Sequence, residues 1–373
     1  MPVHCCAIRG KECRVSIRTA HAMVLVEPKQ LTASSLPMVD VEHGGWLAVE
    51  STGITGVDVQ AWAGTSRSTP YPLVPGHEVV GRIAEWAGGP SPHPIGTRVV
   101  LETSIRCGAC RRCLNDLSTC TFRQPVNAYG RISSTHRPAL WGGLAEYIYI
   151  DPGARMHVVT DDVEAAVATF AHPLAAGFTW AVELPHLSEG ENVMILGPGP
   201  RGLASLIAAK AAGAAWVGIS GLNRDTERLA AAERLGADLV VDATREDVSG
   251  AVGNSLGARP DVVVDVTGDD PDAIHMALDL VRGGGRITIA STKGVNAVNQ
   301  LFSDVIVLKE LSIRGAFGAS STGYHWATRQ LGVDPRIDQM VSHEFPLTES
   351  SRAIQAAAGI LGTDELMSVA VTV

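Results

Sequence analysis

The chain has 373 residues, 46% of them hydrophobic and 18% charged, with a net charge of −9. That length is too great for one ordinary core and suits two domains, and the composition excludes disorder over most of the chain. No basic face argues for nucleic acid or an anionic membrane as partner, and no run of 18 or more apolar residues reads as a spanning helix.

Arg9, Lys11, Arg14 and Arg18 break up any apolar core in the first 20 residues, so no secretory signal is expected. Residues 1–22 lack periodicity and are expected to form a loose, disordered extension. The first strand is expected at Met23-Val24-Leu25-Val26. Residues 23–170 read as mainly β, with short apolar runs at 46–49, 79–83, 98–101 and 145–150 between Gly/Pro turns. From 190 to 315 the pattern changes. Strand-like runs at 193–196, 216–220, 239–241, 262–266 and 286–290 alternate with helical runs at 203–212, 226–235 and 273–281. That alternation predicts an α/β domain, a parallel sheet wrapped by helices. A short mixed segment follows Leu311 and ends in a strand-like run at 369–373.

The seven cysteines fall in two groups: Cys5, Cys6 and Cys13, then Cys107, Cys110, Cys113 and Cys120. An odd count, no export signal and tight C-x-x-C spacing point to a reducing cytoplasm and a metal site. Four thiolates within 14 residues close a tetrahedral Zn²⁺ shell and leave no position open for substrate. Such a zinc is structural. Arg106, Arg111 and Arg112 flank it and are expected to offset its negative charge.

Gly197-Pro198-Gly199-Pro200-Arg201-Gly202 follows one strand-like run and opens a helical one. The first glycine permits a tight turn, the second lets backbone N–H groups approach a pyrophosphate, and the third lets helix and strand pack closely. A strand before, a helix after and a second strand about 20 residues on make this a dinucleotide site. The position that holds an acid for the ribose of NAD is Gly221, followed by Leu222, Asn223 and Arg224. With no acid there, and with Arg224 or Arg228 to hold a 2′-phosphate, NADP(H) is favoured over NAD(H). Arg201 is a further candidate for phosphate contact.

With these motifs in order, residues 23–373 resemble the zinc-containing medium-chain alcohol dehydrogenase family. The resemblance rests on Gly76-His77-Glu78-Val79-Val80-Gly81, Gly96-Thr97-Arg98-Val99, the cysteine lobe, Gly142-Gly143-Leu144-Ala145-Glu146-Tyr147 and the 197–202 loop. It implies a GroES-like β catalytic domain (23–172 and 314–373, with the zinc lobe at 104–124). A Rossmann domain of doubly wound parallel sheet (173–313) would be inserted into it. It also implies a cleft between the two for a small-molecule substrate, and a homodimer or homotetramer. Thr179 matches the residue that packs near the nicotinamide in relatives.

The resemblance breaks at the family's catalytic metal. The segment that supplies a ligand cysteine reads Gly53-Ile54-Thr55-Gly56-Val57-Asp58-Val59-Gln60. Thr55 stands at the cysteine position, Val57 at the relay hydroxyl and Gln60 at the relay histidine. His77 and Glu78 match the second ligand and its neighbouring acid. In His172-Pro173-Leu174-Ala175, Ala175 replaces the third ligand's cysteine and His172 falls at the alternative glutamate position. No other cysteine lies in residues 14–106 or 121–373. Catalytic zinc is therefore expected to be absent. Without a Lewis acid, hydride addition to a bare C=O is demanding, whereas a conjugated C=C or C=N spreads its charge. The expected reaction is reduction of such an activated double bond. Thr55, His77 and Gln60 are candidate donors, with His77, Glu78, His172 and Tyr324 as acids and Asp58 as a positioning group for His77. Trp62, Trp141 and Phe317 are candidate pocket walls. The alternatives are an alcohol or polyol dehydrogenase using His77, Glu78 and His172 as a variant zinc site, and a non-catalytic dinucleotide-binding protein.

Overall fold

The structure is a computed structural model. It describes residues 18–66, 68–117, 120, 122–123, 127–268, 270–293, 298, 300–362 and 367–373. Cys5, Cys6, Cys13 and residues 1–17 of the expected extension lie outside the described residues.

Strands β1 (Thr19–Glu27) and β2 (Gln30–Pro37) form an antiparallel hairpin. β1 starts at Thr19, earlier than the expected Met23. Ala20 and Ala22 point inward there, and alanine carries too little hydrophobicity to mark the alternation. The strands β3 (Gly44–Ile54), β4 (Glu78–Ala87), β5 (Arg98–Leu101), β6 (Tyr147–Ile150) and β7 (Met156–Val158) pair antiparallel. Their inward residues, among them Trp46, Leu47, Val79, Ile83 and Val99, share one core with the hairpin.

A second sheet takes over at residue 192. Its strands are β8 (Asn192–Leu196), β9 (Trp216–Gly221), β10 (Leu239–Asp242), β11 (Val262–Asp265), β12 (Arg286–Ile289) and β13 (Ser312–Gly315). All neighbours are parallel, in the order β10-β9-β8-β11-β12-β13. This is the doubly wound order 3-2-1-4-5-6, and the reversal between β8 and β11 opens a crevice at the carboxyl ends of the strands. Val193, Ile195, Val262 and Val264 are fully buried, as expected for strands covered on both faces. The chain then returns to the first sheet. β14 (His343–Pro346) pairs with β15 (Val369–Thr372), and β15 pairs with β3.

Helical turns at Ala165–Ala168, Ala171–Phe178 and Thr179–Glu183 join the two halves, the last as a π-helical turn. The sequence reading placed no element here, because Pro173 and Gly177 interrupt the helical pattern. By length and mean hydropathy Ala165–Glu183 could cross a membrane, but 83% of its most apolar 18-residue window is buried inside the protein, as in the core helix of a folded domain. It packs on the helix Pro200–Ala211 and on the helix Ser321–Gln330. Gly177 permits the first contact: a Cβ there would lie 2.5 Å from the Ala204 carbonyl carbon.

Candidate active site and nucleotide cleft

The nucleotide loop leaves β8 through Gly197, whose φ of 103° suits glycine. A Cβ on Gly202 would lie 1.9 Å from the Gly197 carbonyl oxygen, so this pair needs glycine as its third member. Gly199 caps the helix Pro200–Ala211 and faces open space. The first intrahelical bond there runs from Leu203 N–H to Gly199 O, 2.9 Å. The N–H groups of Arg201 and Gly202 therefore lie ahead of the helix's own ladder, as an anion-binding terminus requires.

Gly221 ends β9 against Pro198, and a Cβ there would lie 2.6 Å from the proline Cγ. No acid fits at that position, for a steric reason the sequence does not display. Asn223 and Arg224 are exposed beside it. Asp225, unremarked in the sequence, receives Leu222 N–H at 3.1 Å and pairs with Arg228 at 3.4 Å. Arg228 lines a groove of about 280 Å³ that also takes in Gly199, Pro200, Arg201 and Thr55.

A neighbouring cleft of about 320 Å³ brings together Gln60, His77, Glu78, His172, Arg201 and Tyr324. Gln60 comes from the helix Gly56–Ala63 and His77 from the turn before β4. Arg201 crosses from the nucleotide loop, places its guanidinium 5.8 Å from the Trp180 ring centre and donates to Glu78 Oε1 at 3.3 Å.

Thr55 departs from its expected role. It is the N-cap of the helix Gly56–Ala63: its hydroxyl accepts Val57 N–H at 3.2 Å and donates to Asp58 Oδ2 at 2.8 Å. It lines the groove, and its hydroxyl is committed to the cap. Asp58 is nearly fully buried and departs too. It accepts Gly76 N–H at 2.9 Å and Thr55 N–H at 2.9 Å, while His77 Nδ1 lies 3.8 Å away, beyond hydrogen-bond distance. Asp58 thus ties the helix start to the turn that carries His77, without a bond to the imidazole. Thr179 stands at the start of the π-helical turn. Its hydroxyl donates to Ala175 O at 2.7 Å and accepts Ser320 N–H at 3.0 Å, and it lines a separate cavity beside Asp116. Trp62 and Trp141 belong to the β core, whereas Phe317 does line the cleft.

Burial decides the protonation of the cleft. It lowers His77 to about 4; Asp58 opposes this, and Arg201 and Arg131 add to it. It raises Glu78 to about 7, with Arg201 opposing and Asp58 adding. His172 falls well below the usual histidine range, first through burial and then through His77, with the Val79 backbone opposing. Its Nδ1 meets the Tyr324 hydroxyl at 3.0 Å. His77 Nδ1 and His172 Nε2 are buried without hydrogen-bond partners. Tyr324 also stacks on His157, which meets Glu102 at 2.9 Å. Thr103, Trp180 and Arg131 complete the walls. The sequence reading missed these three, since each arrives from a segment with no motif of its own.

Cys107, Cys110, Cys113 and Cys120 bring their sulfurs within 4.8 Å of one another. Cys110 and Cys113 lie 3.4 Å apart, Cys107 and Cys113 3.9 Å. Bonds of about 2.3 Å to a tetrahedral metal would place sulfurs about 3.8 Å apart. Among the described residues no other group of three or more His, Cys, Asp or Glu ligand atoms gathers in this way. Arg106 turns away from the expected role beside the thiols: it pairs with Asp116 at 2.6 Å and Glu102 at 3.5 Å. Asp116 also accepts from Arg155 at 3.1 Å and from Ser321 N–H at 2.9 Å, which fastens the lobe to the start of the helix that carries Tyr324.

Two family models match the chain: the alcohol dehydrogenase GroES-like domain over residues 45–161 and the zinc-binding dehydrogenase domain over residues 200–331. A Mycobacterium tuberculosis protein named "Probable alcohol dehydrogenase" is 37% identical over 355 residues, covering 92% of this chain and 93% of its own. The D-arabitol-phosphate dehydrogenase of Enterococcus avium is 30% identical over 309 residues, covering 81% and 83%. A zinc-binding dehydrogenase fold solved with NADP, from Sinorhizobium meliloti, superposes with a TM-score of 0.82 at 25% identity, covering 95% of this chain and 100% of that one.

Proposed function

The chain belongs to the zinc-binding, GroES-like alcohol dehydrogenases and is an NAD(P)-dependent oxidoreductase; on that premise we propose that it reduces an activated C=C or C=N bond without a catalytic zinc. The donor set in the cleft carries this reading. Thr55 spends its hydroxyl on a helix cap, Ala175 is buried without a ligand atom, and Glu78 is held by Arg201. That leaves two neutral imidazoles, fewer than the three protein ligands a catalytic zinc takes.

The nicotinamide, when bound, supplies a hydride to the β-carbon, and the π pair moves onto the conjugated oxygen or nitrogen. Gln60 and the neutral imidazoles of His77 and His172 offer N–H groups to that developing charge. Glu78, raised to about 7, holds a transferable proton near neutral pH and would donate it to the α-carbon. The product of a conjugated C=C is the saturated carbonyl or imine; for a C=N bond the hydride goes to its carbon, the proton to its nitrogen, and the product is the amine. The 197–202 loop, with Arg201, would hold the pyrophosphate, and exposed Arg224 with Asn223 favours NADP(H). The Arg228–Asp225 pair makes Arg228 the weaker phosphate candidate.

The sulfur spacing supports one structural Zn²⁺ in the cysteine lobe, and reduced thiols suit the cytoplasm. The six-stranded and seven-stranded sheets support the division into 23–172 with 314–373 and 173–313, except that β13 carries the second unit on to Gly315 and Thr19–Ala22 join the first. The exposed edge strand β13, with exposed Val307 and Leu308 nearby, supports a homo-oligomer.

One observation favours a second reading. His77 Nδ1 and His172 Nε2 are both unpartnered, which suits a variant zinc site in an alcohol or polyol dehydrogenase, the activity by which the relatives are named. Elemental mass spectrometry on chelator-washed protein separates the two. One zinc per subunit, with NADPH-dependent enone reduction, upholds the metal-free cleft. Two zincs, with alcohol-dependent reduction of NADP⁺, overturn it.

A further inference from the structure

We propose that Arg131 is an anion clamp and that the substrate carries an oxyanion, a carboxylate or a phosphate, on the part that lies beside His77. The inference rests on the reductase reading for its choice of test compound, but its geometry is separate.

The 128–131 turn is pressed against the cleft. Tyr129 N–H donates to Thr103 O at 2.9 Å, and Gly130 N–H to Trp141 O at 2.7 Å. Gly130, at φ 68°, packs so closely that a Cβ there would lie 2.9 Å from Gly76 O and 3.2 Å from the His77 Cβ. Arg131 follows directly and lines the cleft with His77, His172 and Gln60. It is partly buried.

The cleft's carboxylates are engaged elsewhere. Glu78 takes Arg201, Glu102 takes His157 and Arg106, and Asp58 takes Gly76 and Thr55 N–H groups. Among the described residues no carboxylate lies within ion-pair distance of Arg131, whose side-chain hydrogen bond is a long one, 3.5 Å, to Ser68 Oγ. Its charge is also felt at His77, whose protonated form it disfavours. A fork of guanidinium donors without a counter-ion, at the wall of a reaction cleft, matches a planar or tetrahedral oxyanion.

The test uses the enzyme with NADPH and a matched pair, β-acetylacrylate and its methyl ester. The wild type is expected to prefer the acid, and Arg131→Gln to lower the acid-to-ester ratio of kcat/KM by about 10- to 100-fold. Arg131→Lys should keep part of the preference. Levulinate, the saturated product, is titrated into the NADP⁺ complex in parallel, with inorganic phosphate as competitor. Displacement by phosphate at lower concentration assigns the clamp to phosphate; resistance assigns it to carboxylate. Unchanged NADPH affinity and melting temperature show that R131Q is folded. An acid-to-ester ratio near one in wild type, or a ratio untouched by R131Q, overturns the clamp and leaves the reductase standing. Levulinate binding that depends on Arg131, with neither compound reduced, upholds the clamp and overturns the reductase. Neither reduction nor binding overturns both.

Discussion

The cysteine lobe and the reaction cleft are two ligand-rich regions of one chain, built to opposite ends. In the lobe four side chains of one type converge and share a single destination. In and around the cleft most polar groups are already paired: Thr55 has Val57 and Asp58, Asp58 has Gly76, Glu78 has Arg201, and His172 Nδ1 has Tyr324. A set of like donors converging on one point calls for an ion. A set already paired off calls for a neutral or charged organic ligand that reads the few atoms left over, here His77 Nδ1, His172 Nε2 and the Arg131 fork.

The largest effect should come from the lobe. Cys113→Ser is expected to take zinc from one per subunit to none and to lower stability by about 3 kcal/mol or more. Elemental analysis with thermal melts reads both; a full zinc complement in that variant would erase the contrast. Gly202→Val comes next. Its side chain would meet the Gly197 carbonyl, so NADPH affinity should fall by about 100-fold or more with the lobe metal intact, read by fluorescence titration.

The pH response sharpens the cleft's half of the contrast. Between pH 4.5 and 6.5 the native state keeps a proton on Glu78 that the unfolded chain releases, so this group lowers stability as pH rises. Over the same window the unfolded chain takes protons at His77 and His172 that the native state refuses, so these groups raise stability as pH rises. The two slopes oppose. In Glu78→Gln only the slopes of His77 and His172 remain, and stability should climb with pH by up to about 2.7 kcal/mol per unit, against a shallower wild type. Denaturant titrations across that window decide it. The smallest effect is Thr55→Ala, which should cost about 1 kcal/mol for the lost cap and leave kcat unchanged. A large loss of kcat would return Thr55 to the chemistry.

The regions differ in legibility for the same physical reason. The 197–202 loop and the cysteine lobe were readable because their demands are local: glycine where no Cβ fits, four thiols at closing distance. The cleft is assembled from the 128–131 turn, the π-helical turn at Trp180 and a helix that starts at Ser321, and no local pattern announces that these meet. Thr55 was mistaken for a donor because its spacing to Asp58 was compared with a metal motif, when it also spells a helix cap. The helical run at 165–183 was hidden by Pro173 and Gly177, the second of which is there for packing.

Asp116 has a bearing on any attempt to miniaturise this protein. The lobe looks dispensable, a surface loop that meets the cleft walls only at its first residue, Ser104. Yet its one carboxylate takes a buried arginine, a second arginine from β7's entry and the first N–H of the Tyr324 helix. A designer who trims the lobe strips the peg on which that helix hangs. A shortened enzyme would need a replacement acid in that place before its catalytic wall stood where it does now.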